Sequence, residues 1–377
     1  MTDPYHKKKL NLLIILILIY ELFYSIKNKD RRTFNDFLNL NGTQNSILIA
    51  LYENEHLECL PGYINYFINL RYQVDILINL FSIESIEKLQ PTKYIRIFQY
   101  KNIKEIENNS KKFKNITRKY KFLFLTTLNI NLVNFYKKLG YYNHPNSLFI
   151  IHHINELYSV GLDRSIFENK VFSLIDTKKI TYWNPSYFGK FKLCFKKNKK
   201  IKFFITSTKN RNYDYFINGV YFLKNNSIDF EINVVGRCGK FGIKDVPREL
   251  RKYFQFYRKI RYQKMYEIIL KSDFIILNLY PSKEDNIYKF YRATGNAQLS
   301  YGFCKPPLVE KSFSSIYKFS DKNSIIYNNN DIYLAMMKAA TITKKKYKIL
   351  CKNLNLLRKE IYDISLNNLK NVINKYK

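Results

Sequence analysis

Short apolar runs alternate with longer segments of mixed polarity along most of the chain. The runs resemble buried parallel strands, and the segments between them carry apolar residues at helical spacing. This alternation predicts an α/β fold. Strands are predicted at 47–52, 74–78, 94–98, 122–126, 148–151, 201–206, 230–236, 274–279, 308–309 and 325–327. Helices are predicted at 63–70, 103–113, 130–139, 258–270, 331–340 and 343–377, and another begins at 294.

The first apolar run differs from the others in its length and its flanks. Residues 10–26 are apolar except for Asn11, Glu21 and Ser25, and basic residues stand on both sides. A run of about 17 residues is at the lower limit for crossing a bilayer. No cleavage site of small residues follows it, which argues against a signal peptide. A membrane anchor, an interfacial helix and a helix packed within the fold all stay open.

Polar and basic stretches divide the chain into four parts. We assign 1–45 to an N-terminal apolar helix and linker and 46–190 to a first α/β domain. A second domain follows at 191–345, after a lysine-rich boundary, and a C-terminal helix at 346–377. A chain of 377 residues has room for two domains of about 150 residues each.

One stretch combines a buried strand with the start of a helix. The apolar run 274–279 leads through a polar loop to Thr294, Gly295 and Asn296, which suit the beginning of a helix. In parallel sheets such helices begin at the carboxyl ends of the strands, where ligands bind. Because free N–H groups and the helix dipole favour anions there, the stretch predicts a phosphate site.

The helix is followed by a turn with the sequence FCKPPLV at 303–309. This segment resembles the donor-binding segment of GT-B glycosyltransferases, with Cys304 where glycine is usual. The resemblance covers about 47–345 and implies two Rossmann-like domains that face each other, with a final helix that returns to the first. It also implies transfer of a sugar from a nucleotide-diphosphate sugar to a glycan or lipid-linked acceptor, in the synthesis of a surface glycan or glycolipid.

The resemblance assigns the contacts of the donor to individual residues. Thr294, Gly295 and Asn296 would cradle its phosphate. Lys209 or Arg211, in the loop after the predicted strand 201–206, would neutralise the charge of the leaving diphosphate.

Two histidines follow the predicted strand 148–151, where many GT-B enzymes have a histidine near the transferred sugar. His153, and beside it His152, are the candidate catalytic residues, because an imidazole can accept a proton from an acceptor hydroxyl. His56 and Glu58, in the loop after the first strand of the domain, are the next candidates.

The chain departs from the family pattern at two positions. Many retaining GT-B families carry two glutamates where this chain has Tyr291 and Leu299. Glu284, Asp285 or Gln298 would have to replace their contacts with the donor. The departure keeps two alternatives open within the fold, a nucleotide-sugar epimerase and a GT-B protein without catalytic activity.

Neither a metal nor a cofactor is expected. The chain lacks a DxD sequence, which disfavours a metal-dependent GT-A enzyme, and it lacks a GxGxxG fingerprint, which argues against an NAD-dependent enzyme. The five cysteines are scattered and have no CxxC spacing, which indicates reduced thiols in the cytoplasm.

The chain is strongly basic, with 64 Lys and Arg against 30 Asp and Glu and a formal net charge of +34. An AT-rich coding sequence would produce such a composition by itself, but the charge still favours anionic partners. We expect a cytoplasmic protein at the inner, anionic face of a membrane, with 10–26 as a candidate attachment. A basic nucleic-acid-binding protein is the alternative from another class. No recognisable nucleic-acid-binding module is present, so nucleic acid is not an expected partner.

Overall fold

Two α/β domains, each built on a parallel sheet, form the described part of the chain. The computed structural model describes residues 31–40, 45–53, 56–80, 94–154, 170–177, 180–189, 191–207, 211–236 and 241–376. The apolar run 10–26 and Lys209 lie outside these residues, so their predicted roles stay predictions. Within these ranges, no helix combines the length and the apolar character that crossing a membrane requires.

The described residues of the first domain form eight strands, all parallel to their neighbours. They are β1 (Arg31–Thr33), β2 (Ser46–Leu51), β3 (Gln73–Asn79), β4 (Ile95–Tyr100), β5 (Phe122–Leu125), β6 (Ser147–Ile151), β7 (Val171–Ser173) and β8 (Thr181–Tyr182). Their order in the sheet is β1-β4-β3-β2-β5-β6-β7-β8. The described helices are α1 (Phe34–Leu38), α2 (Leu60–Asn69), α3 (Ile103–Asn108), α4 (Ser110–Thr117) and α5 (Val133–Lys138), with 3-10 helices at Leu57–Cys59 and Ile130–Leu132.

In the second domain, six parallel strands occur within the ranges that the structure describes. They are β9 (Ile201–Thr206), β10 (Phe230–Gly236), β11 (Phe254–Arg258), β12 (Phe274–Ile276), β13 (Pro307–Glu310) and β14 (Ile325–Tyr327), in the order β11-β10-β9-β12-β13-β14. The described helices are α6 (Asp214–Asn225), α7 (Tyr262–Lys271), α8 (Ile287–Phe290), α9 (Gly295–Phe303), α10 (Lys311–Ser314) and α11 (Ile332–Thr341), with 3-10 helices at Ile243–Asp245 and Arg248–Tyr253.

The last helix, α12 (Lys344–Asn374), belongs to both domains. Tyr347, near its start, is buried in the core of the second domain. Leu369 and Ile373, near its end, are buried in the core of the first domain. Between them the ring of Tyr362 stacks on Tyr66 of the first domain, with the ring centroids 4.7 Å apart. The expectation that the final helix returns to the first domain is confirmed.

Most strands lie where the apolar runs predicted them, and the differences concern short or polar elements. The first domain already contains β1 and α1, within the segment that the sequence assigned to a linker. A capping box between Thr33 and Asp36 starts α1, and Phe34 and Phe37 are buried beneath it. The short strands β7, β8 and β11 were not predicted either. The helix predicted at 103–113 is two helices, which separate at Asn109.

Asp273 holds the segment between the domains against the second sheet. Its carboxylate is fully buried and accepts hydrogen bonds from the backbone N–H groups of Asn198 (2.9 Å) and Lys202 (2.8 Å). The side-chain amide of Asn198 donates a third, at 3.1 Å. A buried carboxylate is stable here because three donors replace its water.

We expect Asp273→Ala to lower the free energy of unfolding by about 2–4 kcal/mol, because it leaves these donors without a partner. Urea denaturation followed by circular dichroism measures the effect. Asp229→Ala is the matched control, since Asp229 is 76% exposed and pairs with Lys200 only at 3.9 Å. If both substitutions cost the same, the buried carboxylate does not have the role described.

Candidate functional site

A cavity of about 300 Å³ lies between the two domains, next to the carboxyl ends of strands from both sheets. Such a position is the usual ligand site in open α/β sheets. The polar residues that line the cavity come from both sides: His56, Glu58 and His152 from the first domain, and Thr206, Ser207, Arg211, Asn278, Arg292, Thr294, Asn296 and Gln298 from the second.

The start of α9 forms one wall of the cavity, and the helix begins at the residues where the sequence predicted a helix start. Thr294 is the N-cap residue with extended backbone, and Gly295 and Asn296 are the first helical residues. The side chain of Asn296 accepts a hydrogen bond from Thr206 Oγ1 (2.9 Å) and donates one to the carbonyl of Ile276 (2.8 Å). It therefore fixes the helix above the ends of β9 and β12, and its backbone N–H is left to face an anion.

Gly295 leaves open space at the N-terminus of this helix. A Cβ atom placed on Gly295 would meet no other atom within 4 Å. Among the glycines that the structure describes, each of the others has a neighbour closer than that. Since the first N–H groups of a helix have no intrahelical acceptor, the open space suits an anion.

Gln298 adds an unusual group to the same wall. The residue is 4% exposed, yet neither its Oε1 nor its Nε2 atom has a hydrogen-bond partner. Buried amides are normally satisfied, because an unpaired one costs free energy. A bound molecule with a hydroxyl or amide group would complete these hydrogen bonds.

Arg211 reaches the cavity wall, but its charge is already compensated. Its Nη1 donates to Asp285 Oδ1 at 2.6 Å and to the carbonyl of Asn278 at 3.3 Å. The side chains of Arg211 and Asp285 are only 4% and 5% exposed. Asp285 also accepts a hydrogen bond from the backbone N–H of Tyr280 at 2.9 Å, so this pair fixes the loop after β12.

The opposite wall carries a pair of stacked histidines. The rings of His56 and His152 are 3.7 Å apart and nearly parallel. The Nε2 atom of His152 lies 3.1 Å from the carbonyl of Thr126, and because a carbonyl only accepts, this nitrogen carries the proton. Burial is the main cause that holds the pKa of His152 well below its usual range, with a smaller contribution from the neighbouring imidazole of His56, so the ring of His152 is neutral at neutral pH.

Glu58 connects the histidine pair to the second domain. Its Oε1 lies 3.7 Å from His56 Nδ1, and its Oε2 accepts a hydrogen bond from the Tyr262 hydroxyl at 3.1 Å. Burial opposes ionisation of Glu58, but His56 and Tyr262 outweigh it and lower the pKa of this carboxyl below its usual value. The carboxylate is therefore charged at neutral pH. It orients His56 so that the Nδ1 atom is directed at Glu58 and the Nε2 atom is not.

The structure brings only some of the predicted residues to the cavity. His152, Arg211, Thr294, Gly295 and Asn296 all line it. His153 is half-buried and is not part of the lining, and Glu284 is exposed on the loop outside it. 

Arg292 was not singled out by the sequence, although it stands only two residues before Thr294 and lines the cavity. A lone basic residue in a chain with 64 of them carries no signal by itself.

No group of three or more His, Cys, Asp or Glu side chains suited to a metal ion occurs in the described part of the chain.

No protein-family model and no curated protein matches the sequence. Solved structures do match. TarM aligns with a TM-score of 0.57 and 10% identity, over 88% of this chain and 99% of TarM. Alr3699/HepE of Anabaena, crystallised in complex with UDP and glucose, aligns with a TM-score of 0.52 and 10% identity, over 87% of this chain and 99% of that one.

A third match is a glycosyltransferase from Rickettsia africae ESF-5, with a TM-score of 0.50 and 11% identity, over 89% of this chain and 99% of that one. Each alignment covers at least 87% of this chain and therefore includes parts of both domains. At this low identity the likeness bears on the fold. The chain therefore has the GT-B fold, as its donor-segment motif predicted.

Proposed function

We propose that this protein is a glycosyltransferase, which moves a sugar from a nucleotide-diphosphate sugar to an acceptor. The observation that carries the proposal is the pair of facing walls in the interdomain cavity. One wall offers the open N-terminus of α9 for a diphosphate, and the other offers an oriented histidine for an acceptor hydroxyl. The likeness in fold to Alr3699/HepE, which was crystallised with UDP and glucose, supports UDP as the first nucleotide to test.

The reaction that fits these walls is a displacement at the anomeric carbon. His56 takes the proton from the acceptor hydroxyl as its oxygen attacks that carbon. The bond between the carbon and the diphosphate oxygen breaks, and the nucleoside diphosphate leaves with the bonding electrons. Glu58 stabilises the imidazolium that forms, and the neutral ring of His152 holds His56 in place by stacking.

The acceptor that we propose is a glycan or a lipid-linked intermediate in the synthesis of a surface glycan or glycolipid. The net charge of +34 supports an anionic membrane surface as the place where the protein meets it. Such a surface lies at the cytoplasmic side, where nucleotide sugars are available, and 10–26 is the candidate attachment.

A thermal-shift panel tests the donor site. We expect one of UDP, GDP, CDP and ADP to raise the unfolding temperature, because a ligand that binds only the folded state stabilises it. Gly295→Ala should retain the unfolding temperature of the ligand-free protein and weaken binding of that nucleotide by about tenfold or more, since its methyl group enters the open space. If only a single-stranded oligonucleotide stabilises the protein, the transferase proposal fails.

Release of nucleoside diphosphate from the matching nucleotide sugar, with water as the acceptor, tests the base. His56→Ala should lower kcat by about 10²–10⁴-fold and leave nucleotide binding unchanged. Glu58→Gln should lower kcat by about tenfold or more, because His56 loses its charged partner. His153→Ala is the matched control, since His153 does not line the cavity. Loss of turnover in His153→Ala with normal turnover in His56→Ala would move the base to His153.

A further inference from the structure

We propose that Arg292, and not Arg211, is the cation that contacts the diphosphate of the donor. The inference rests on the proposed function and names the residue that neutralises the charge of the leaving group. It departs from the family resemblance, which placed this cation in the loop after β9.

Arg211 is poorly suited to this contact because its charge is already paired with the carboxylate of Asp285. The two side chains are in contact at 2.6 Å and are almost completely buried. A diphosphate would have to compete with a carboxylate that is already in place and shielded from water. The pair also fixes the loop after β12, so its role in the described structure is to hold that loop in shape.

Arg292 has the opposite properties. It lines the cavity, it is half-buried, and it forms no ion pair with any carboxylate that the structure describes. Burial is the main cause of the lowered pKa of His152 on the opposite wall, and the charge of Arg292 adds a small contribution to it across the cavity. Arg292 therefore brings an uncompensated positive charge to the interior of the cavity.

The ring of Tyr288 is close to both arginines and helps to position Arg292. The Arg211 guanidinium carbon lies 4.1 Å from the centre of this ring, and that of Arg292 lies 5.8 Å from it. Both cations are within the range in which a guanidinium is attracted to an aromatic ring. The buried Arg211–Asp285 pair thus helps to hold the ring of Tyr288 against which Arg292 packs. Because this contact already restricts the side chain of Arg292, the side chain loses less conformational freedom when a ligand binds.

Arg292 and the start of α9 together form a site for two negatively charged groups. The helix presents the free N–H groups of its first turn beside Gly295, and Arg292 precedes that turn by three residues. The unpaired amide of Gln298, one turn further along, independently indicates that a polar ligand belongs against this wall. A diphosphate fits the combination, since the helix end and a guanidinium can each take one phosphate group.

The test compares the binding of UDP, UMP and uridine by isothermal titration calorimetry, or the series of another base if the thermal-shift panel selects it. Arg292→Ala should weaken UDP binding by about 10–100-fold, leave uridine binding unchanged and remove most of the preference for UDP over UMP. Arg292→Lys should restore part of the UDP affinity because it retains the charge.

Arg248→Ala is the matched control, because Arg248 is exposed and lies outside the cavity lining. Unchanged UDP binding in Arg292→Ala would overturn the inference, and so would an equal loss of UDP and uridine, which would indicate a structural role. If the unmodified protein binds no nucleoside diphosphate, the proposed function itself fails, so the two failures are distinguishable.

Discussion

The side chain of Asn296 determines where the site can form. It joins the ends of β9 and β12 through Thr206 and the carbonyl of Ile276, and it belongs to the first turn of α9. Parallel strands bring their carboxyl ends to one edge of the sheet, but only a specific contact sets the height and tilt of the helix above that edge. The open space at Gly295 and the orphaned amide of Gln298 follow from this placement.

Contacts between the domains hold the second wall of the cavity in position. The Tyr262 hydroxyl reaches Glu58, and the backbone N–H of Ile154 donates to the carbonyl of Tyr291 at 2.9 Å. The second contact joins the segment after the histidines to the segment that carries Arg292. Each wall of the site is therefore positioned partly by the other domain, and a change in the angle between the domains would separate the histidine pair from the helix end.

The strands and the donor helix could be predicted because their signals are local. An apolar run such as that of β9, or a Thr-Gly-Asn helix start, is visible without knowledge of the elements that pack against it.

Prediction of the site required information that is not local. Whether Arg211 or Arg292 carries a free charge depends on Asp285, which is 74 residues from the first. Which histidine faces the cleft depends on the direction of one residue after β6, and a shift of one residue reverses it. Short edge elements such as β1 were missed because their own residues are polar and their partners are distant.

The shared helix α12 has a consequence for how the protein is made. Its last turns, with Leu369, Val372 and Ile373, complete the core that packs against the first sheet, in the same cluster as Trp183. These residues follow every other element that the structure describes, so the first domain cannot bury that surface until α12 has been synthesised. Domains of this size usually fold in the order of their synthesis, the first before the second. Here the first domain completes its core only after the second domain has been synthesised. Until then the nascent chain exposes the apolar surface that α12 later covers, and a chaperone could recognise that surface.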